Sequence, residues 1–206
     1  MSDAIRVGLV GFGYASKTFH APLIGGTPGM ALKAVASSDA DKVHADWPGV
    51  KVMSAPGDLL DDPDIDLVVI ATPNDTHFPL AKAALEAGKH VVVDKPFTVT
   101  LSQARELESL AKHCGRILSV FHNRRWDSDF LTVSALINEG QLGEVCYFES
   151  HFDRFRPQVR QRWREQAGPG SGIWYDLAPH LLDQVVVLFG LPVSITVCLL
   201  YTSPSP

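Results

Sequence analysis

Residues 5–16 read IRVGLVGFGYAS, an apolar run that ends in Gly11-Phe12-Gly13-Tyr14-Ala15-Ser16. The following ASKTFHAPLI has helical composition until Gly25, Gly26 and Pro28 stop it, so the segment reads as strand, tight turn and short helix. In that context the glycine pair is the first half of a dinucleotide fingerprint. Gly11 permits the tight turn. Gly13 lacks the side chain that would keep a pyrophosphate from the helix N-terminus, where backbone N–H groups and the helix dipole favour anions. Phe12 and Tyr14 lie in the same loop and are counted with the cofactor-binding residues. The third fingerprint position holds Ser16 in place of glycine.

Working outward, the pattern repeats. LKAVASS (32–38) reads as a second strand, followed by an acidic segment around Lys42 to Trp47 and an apolar strand IDLVVIAT (65–72). Strands apolar along their length are buried on both faces. PLAKAALEAG (79–88) is a helix stopped by Gly88, HVVVDKPF (90–97) a strand, SQARELESLAKHCG (102–115) a helix and ILSVFH (117–122) a strand. Strands alternating with helices at this spacing imply a doubly wound parallel α/β sheet, because parallel neighbours need crossover connections. The first domain is therefore expected at residues 1–122.

Beyond it the character changes: the 11 basic residues up to position 122 include both Lys and Arg, whereas the 7 after it are all Arg. A helix-like DFLTVSALINEGQLG (129–143), then VCYFESHF (145–152), an Arg-rich loop, a Gly-rich turn, a helix from about Asp176 to Phe189 and a sheet strand VSITV (193–197) read as the beginning of an α+β second domain over 123–197. The last nine residues, CLLYTSPSP (198–206), match one reading frame of a transposase sequencing adapter. They are expected to be read-through, with the natural chain continuing past Val197.

Composition narrows the classes of function. Apolar residues make up 46% and charged residues 20%, which argues for a folded globular chain. The net charge of −5 offers no global attraction for nucleic acid or an anionic membrane, and no apolar run is long enough to span one. A cytoplasmic location and a small-molecule partner are expected. The three cysteines, Cys114, Cys146 and Cys198, are far apart, so neither a disulfide framework nor a metal site is expected.

Three further groups carry chemistry. After the second strand, Ser37, Ser38 and Asp39 lie where an adenosine ribose would be read. A carboxylate there favours the free 2′-hydroxyl of NAD, and hydroxyls beside a cation admit the NADP phosphate. Asp39 sits slightly late, so NAD or NADP is expected with a mild preference for NAD. Thr72-Pro73-Asn74-Asp75-Thr76-His77 follows a buried strand, at the carboxyl end where ligands bind in open α/β sheets. Thr72, Pro73 and Asn74 are expected on the nicotinamide half of the cofactor, His77 and Lys95 are counted with the cofactor-binding residues, and Asp75 is expected as a cap of the next helix. Lys95 of Asp94-Lys95-Pro96 ends another strand, where an ammonium can stabilise an alkoxide. Finally, in GSGIWYDLAPHLLD (170–183), a helix beginning near Asp176 would put Asp176, His180 and Asp183 on one face. Pro179 is then confined to the first turn, and His180, flanked by carboxylates, is suited to general base work. The five arginines of 154–164 are expected in ion pairs, domain contacts or a substrate rim.

GFGYAS, TPNDTH, DKP and GSGxxxDxxxHxxD, in this order over residues 4–197, resemble the Gfo/Idh/MocA oxidoreductases. The runs ASKTFHAPLI, FHNRRWDSDF and ESHFDRFRPQVR look like the branch containing inositol dehydrogenases, scyllo-inositol 2-dehydrogenase in particular. The family's usual Glu-Lys-Pro is Asp94-Lys95-Pro96 here, which keeps the lysine. The resemblance implies a Rossmann domain joined to a mixed-sheet domain, Lys95 as substrate-binding and alkoxide-stabilising residue, Asp176 as its partner on the substrate hydroxyls, and His180 as general base. It also implies association through the second-domain sheet, hence a homo-oligomeric full-length form. The expected activity is hydride transfer between NAD(P) and a secondary alcohol of a cyclic polyol or sugar. The alternatives are a non-catalytic nucleotide-binding regulator on the same scaffold, or an inactive truncated fragment.

Overall fold

Alternate residues of the first strand, β1 (Ile5–Val10), point to opposite faces, and both faces are covered: Val7 and Leu9 enter one apolar cluster and Val10 the other. The same alternation recurs in β2 (Met30–Ala36), with Val35 on one side and Ala34 and Ala36 on the other, and in β4 (Leu67–Ile70), where Val69 opposes Val68 and Ile70. Burial on both faces is what an unbroken apolar strand requires. In the computed structural model, which describes residues 4–153, 155, 157, 158 and 162–198, these strands join β3 (Lys51–Met53), β5 (His90–Asp94) and β6 (Leu118–Phe121). The sheet order is β3-β2-β1-β4-β5-β6, and every neighbouring pair is parallel. This is the doubly wound Rossmann arrangement, whose order reverses between β1 and β4 and opens a crevice there at the carboxyl ends of the strands.

Helices cover both faces. Ala21 and Ile24 of α1 (Ala21–Gly26) and Val43 of α2 (Ala40–His44) fill the cluster on one side. On the other, Leu59 and Leu60 of α3 (Pro56–Leu60), Ala81, Ala84 and Leu85 of α4 (His77–Glu86), and Leu107 and Ala111 of α5 (Leu101–Cys114) fill the second. Sequence periodicity located β1, β2, β4, β5, β6, α4 and α5 to within two or three residues, and it left α2 as an acidic segment. It missed β3 and α3, which are too short, at three and five residues, to carry a period of their own.

The chain divides into two compact units. One comprises residues 1–122 with 154–179. The other comprises 123–153 with 180–206 and contains α6 (Ser128–Asn138) and the latter part of α7 (Gly172–Phe189). Among its described residues there is no strand: neither VCYFESHF nor VSITV is paired. A strand exists only with a neighbour to complete its hydrogen-bond ladder, and the period-2 pattern of a sequence cannot supply one. Residues 199–206, most of the stretch read as adapter, lie outside the described residues.

Candidate active site

The turn after β1 is shaped by Gly11, at φ +87°, where a Cβ would stand 2.9 Å from the Ala71 carbonyl oxygen. No other residue type fits. A Cβ at Gly13, in contrast, would meet nothing within 4 Å, so the approach to the first turn of the following helix is open. That helix starts as a π-helical turn, Ser16–His20. Ser16, in the place of the third glycine, is fully buried and donates its hydroxyl to the Gly11 carbonyl at 2.8 Å, tying the turn to the helix. A bared backbone before a helix start fits a pyrophosphate. The side chain of Phe12 is buried in the apolar cluster beneath, leaving only its backbone for a ligand, and Tyr14 is exposed with its edge toward Phe19.

At the end of β2, Asp39 is the N-cap of α2: its carboxylate accepts from the Lys42 backbone N–H at 2.9 Å, while the Ser37 hydroxyl accepts from the Asp39 N–H at 3.2 Å. The acidic side chain expected to read the ribose thus has a local backbone role, because a helix start leaves N–H groups without intrahelical partners.

The loop after β4 differs from expectation in detail. Thr76 donates to the Pro73 carbonyl at 2.6 Å, so its oxygen accepts the Thr72 hydroxyl, also at 2.6 Å. Asp75 does not cap α4; the cap position is Thr76, whose side chain makes no capping bond to the helix. His77 is fully buried, with Nδ1 2.8 Å from the Pro96 carbonyl and Nε2 3.0 Å from the Thr72 carbonyl. Both nitrogens face backbone, so His77 ties the loop after β4 to the loop after β5 and does not present itself to a cofactor. Asn74 is 2% exposed and donates Nδ2 to the Gly170 carbonyl at 2.6 Å.

Lys95, only 11% exposed, extends from the end of β5. Its Nζ donates to the Asp176 backbone carbonyl at 2.7 Å and approaches Asp176 Oδ1 at 3.3 Å. Burial pushes the ammonium below the ordinary lysine range, against the opposing pull of Asp176 and Asp94, and the Arg164 cation adds to the depression. Burial raises the carboxyl of Asp176, but Lys95, Arg164 and Arg162 outweigh it and hold the group below the usual carboxylate range. Arg164 Nε lies 3.5 Å from Oδ1 and Arg162 3.8 Å from Oδ2, while Arg162 also pairs with Glu165 at 2.6 Å. The expectation of ion pairs thus holds for these two arginines. Arg154, Arg156 and Arg160 lie outside the described residues.

Sequence reasoning missed His20. It is 3% exposed, packs its ring at a tilt against Phe121 and points Nε2 at Asp94 Oδ2 across 3.6 Å, while Asp94 Oδ1 accepts the Lys95 backbone N–H at 2.7 Å. Burial raises Asp94, yet His20 and the Lys95 contacts bring it below its ordinary value. Nothing in residue spacing joins positions 20 and 94; only the sheet does.

α7 starts four residues earlier than expected, at Gly172, so Pro179 lies in its interior. Proline has no N–H for the Tyr175 carbonyl. The next carbonyl along, that of Asp176, receives the Lys95 ammonium. In the second unit, His180 is buried with its ring edge-on to Phe152. Asp183, expected to flank it, makes a bidentate pair with Arg125 at 2.6 and 2.8 Å, which raises that guanidinium further. The carboxylates on either side of His180 in the sequence are therefore committed to Lys95 and the arginines, and to Arg125.

A glycine turn bared for a phosphate at the switch point, with a buried lysine at the end of the second strand beyond it, agrees with the comparisons. The family model described as "Oxidoreductase family, NAD-binding Rossmann fold" matches residues 5–122, and its companion, "Oxidoreductase family, C-terminal alpha/beta domain", matches 134–205. The chain belongs to the Gfo/Idh/MocA oxidoreductase family. It is 77% identical over 204 residues to the uncharacterized oxidoreductase YdgJ of Escherichia coli (strain K12), covering 99% of this chain and 59% of that protein. It is 39% identical to the scyllo-inositol 2-dehydrogenase (NADP(+)) IolW of Bacillus subtilis (strain 168), covering 94% of this chain and 54% of IolW. The solved structure of YPO2259 from Yersinia pestis superposes with a TM-score of 0.87 at 71% identity, covering 93% of this chain and 54% of that one. Biliverdin reductase of Synechocystis, in complex with biliverdin and NADP+, superposes at 0.79 with 31% identity, covering 91% and 58%. The chain thus spans little more than half the length of these relatives. Within the Gfo/Idh/MocA family it is an NAD(P)-binding oxidoreductase fold. Among its described residues no helix is long and apolar enough to cross a membrane, and no group of three or more His, Cys, Asp or Glu side chains is placed to hold a metal ion.

Proposed function

We propose that this family member transfers a hydride between NAD(P) and a secondary alcohol of a cyclic polyol or sugar. The single observation that carries the reading is Lys95: a buried ammonium with a depressed pKa, held by Asp176 at the carboxyl end of β5. The bound nicotinamide would supply the hydride acceptor. The chain's own residues do the rest. The Lys95 ammonium donates to the reacting oxygen and stabilises negative charge as it develops there. Asp176, kept ionised by three cations, accepts from a neighbouring substrate hydroxyl and orients the ring. His180 is the group assigned to take the hydroxyl proton. Among the described residues, Lys95, Arg162 and Arg164 are matched in formal charge by Asp94, Asp176 and Glu165, and such a balanced set suits a neutral, polyhydroxylated substrate. The name of the relative IolW points the same way.

For the cofactor, the capping role of Asp39 weakens the preference for NAD expected from its position. Ser37 and Ser38 are left at the ribose end, and the reading here is that NADP is accepted at least as well.

The test is reduction of NAD+ and NADP+ by a panel of inositols and sugars, using this chain and the chain extended to the length of its relatives. Lys95→Met is expected to lower kcat/KM by roughly 10² or more, with nucleotide affinity little changed. An extended protein that binds the nucleotides but oxidises none of the polyols would reject the reading.

A further inference from the structure

Residues 162–179 pack on the Rossmann unit through three polar contacts to the loops after β4 and β5. These are Asn74 Nδ2 to the Gly170 carbonyl at 2.6 Å, the Tyr175 hydroxyl to the Val99 carbonyl at 3.1 Å, and Lys95 Nζ to the Asp176 carbonyl at 2.7 Å. They are not equivalent. Lysine and tyrosine reach through long side chains, whereas Asn74 is a short side chain, almost wholly buried, that makes a backbone-directed bond in a dry setting. Its partner is equally constrained. Gly170 has φ +74°, and a Cβ there would stand 2.8 Å from Asn74 Cβ and 3.1 Å from Val99 Cγ2. The other amide atom, Asn74 Oδ1, finds no hydrogen-bond partner among the described residues. An apolar side chain would avoid that unsatisfied acceptor, so it is the donor end that this position requires.

We propose that Asn74 is a positioning residue. It sets the register of segment 162–179 on the cofactor-binding unit, and through Gly170, six residues before Asp176, it places Asp176 on Lys95. The loop that ends β4 beside the nicotinamide crevice is then also the part that aligns the substrate-binding pair. For its catalytic consequence this rests on the reading of Lys95 and Asp176 given above. Its structural content does not.

The test is amide hydrogen exchange read by mass spectrometry on this chain, alongside fluorescence titration with NADPH. Asn74→Leu removes both amide atoms at similar volume, and Gly170→Ala opposes the contact from the other side. Both are expected to speed exchange over 166–178 by about tenfold, the loss of one buried hydrogen bond, while β1, β4 and β5 are unchanged and NADPH affinity stays within about threefold. In an extended protein active on a polyol, both variants raise the polyol KM and lower kcat without changing the nucleotide KM. Unchanged exchange over 166–178 in both variants overturns the proposal. So does a tenfold loss of NADPH affinity with the segment unmoved, which would make Asn74 a cofactor contact. Should Asn74→Leu also loosen β4, Asn74→Asp decides. It keeps the shape but sets a carboxylate oxygen against the Gly170 carbonyl, and selective loosening of 166–178 supports the register role while wild-type exchange there refutes it.

Discussion

At the scale of single residues, Lys95 and Asp176 are opposite charges whose values are set by more than each other. Removing the Asp176 charge takes away the main influence that raises the Lys95 pKa and leaves burial and Arg164 to lower it. If activity needs the ammonium, kcat/KM falls as pH rises through that pKa, so in Asp176→Asn the alkaline limb of the profile moves to lower pH. Arg164→Leu removes a cation and moves the limb to higher pH. A pH profile of the extended protein reads both signs, and limbs that stay put or move the other way contradict the assignment. Asp39 makes a separate residue-scale prediction. As the N-cap of α2 it contributes about 1 kcal/mol to stability, so Asp39→Ala lowers the thermal midpoint. The ratio of NADP+ to NAD+ affinity should change by less than tenfold. A large selective loss of NAD+ binding would show that the carboxylate reads the ribose after all.

At the scale of elements, α7 carries the clearest conflict between local propensity and tertiary structure. Proline in a helix interior costs about 3 kcal/mol relative to alanine, which is why the sequence reading confined Pro179 to a first turn. In the fold, the helix runs from Gly172 through Pro179 to Phe189, and Lys95 supplies a donor beside the gap. Pro179→Ala restores an N–H for the Tyr175 carbonyl and is expected to raise the thermal midpoint and the helical circular dichroism. An unchanged or lower midpoint would mean that the ring packs where its N–H is missed. The strands of the Rossmann sheet behave in the opposite way: their local pattern and their tertiary place agree, so apolar runs, glycine stops and crossover spacing located β1, β2, β4, β5 and β6.

For the whole molecule, the entry of the chain into the sheet is pinned by Arg6 at the start of β1. Its guanidinium pairs with Asp64 and Asp66, and the Arg6 backbone N–H also donates to Asp66. The side-chain and backbone hydrogen bonds from Arg6 bring Asp66 down to about 2 from the ordinary 3.8. A depressed carboxyl contributes stability that is complete above its unfolded value and is lost as pH falls through its folded one. The thermal midpoint of Asp66→Asn should therefore lie below that of the wild type near neutrality. The gap should close between about pH 4 and pH 2, the window between the unfolded and folded values. A gap independent of pH would assign the effect to packing and not to charge.

From the order of its residues alone, the chain declared a doubly wound parallel sheet, a glycine turn for a dinucleotide and a lysine at a strand end, because these follow from local rules: residue period, the permitted φ of glycine, and the spacing of crossovers. What the side chains of that turn and its neighbours touch was decided only in three dimensions. His77 went to two backbone carbonyls, Asn74 to Gly170, Asp39 to a helix cap and Asp183 to Arg125, while His20 came to Asp94 from 74 positions away. A polar side chain taken out of water must find a partner wherever the fold puts one, and that partner's place in the sequence obeys no period.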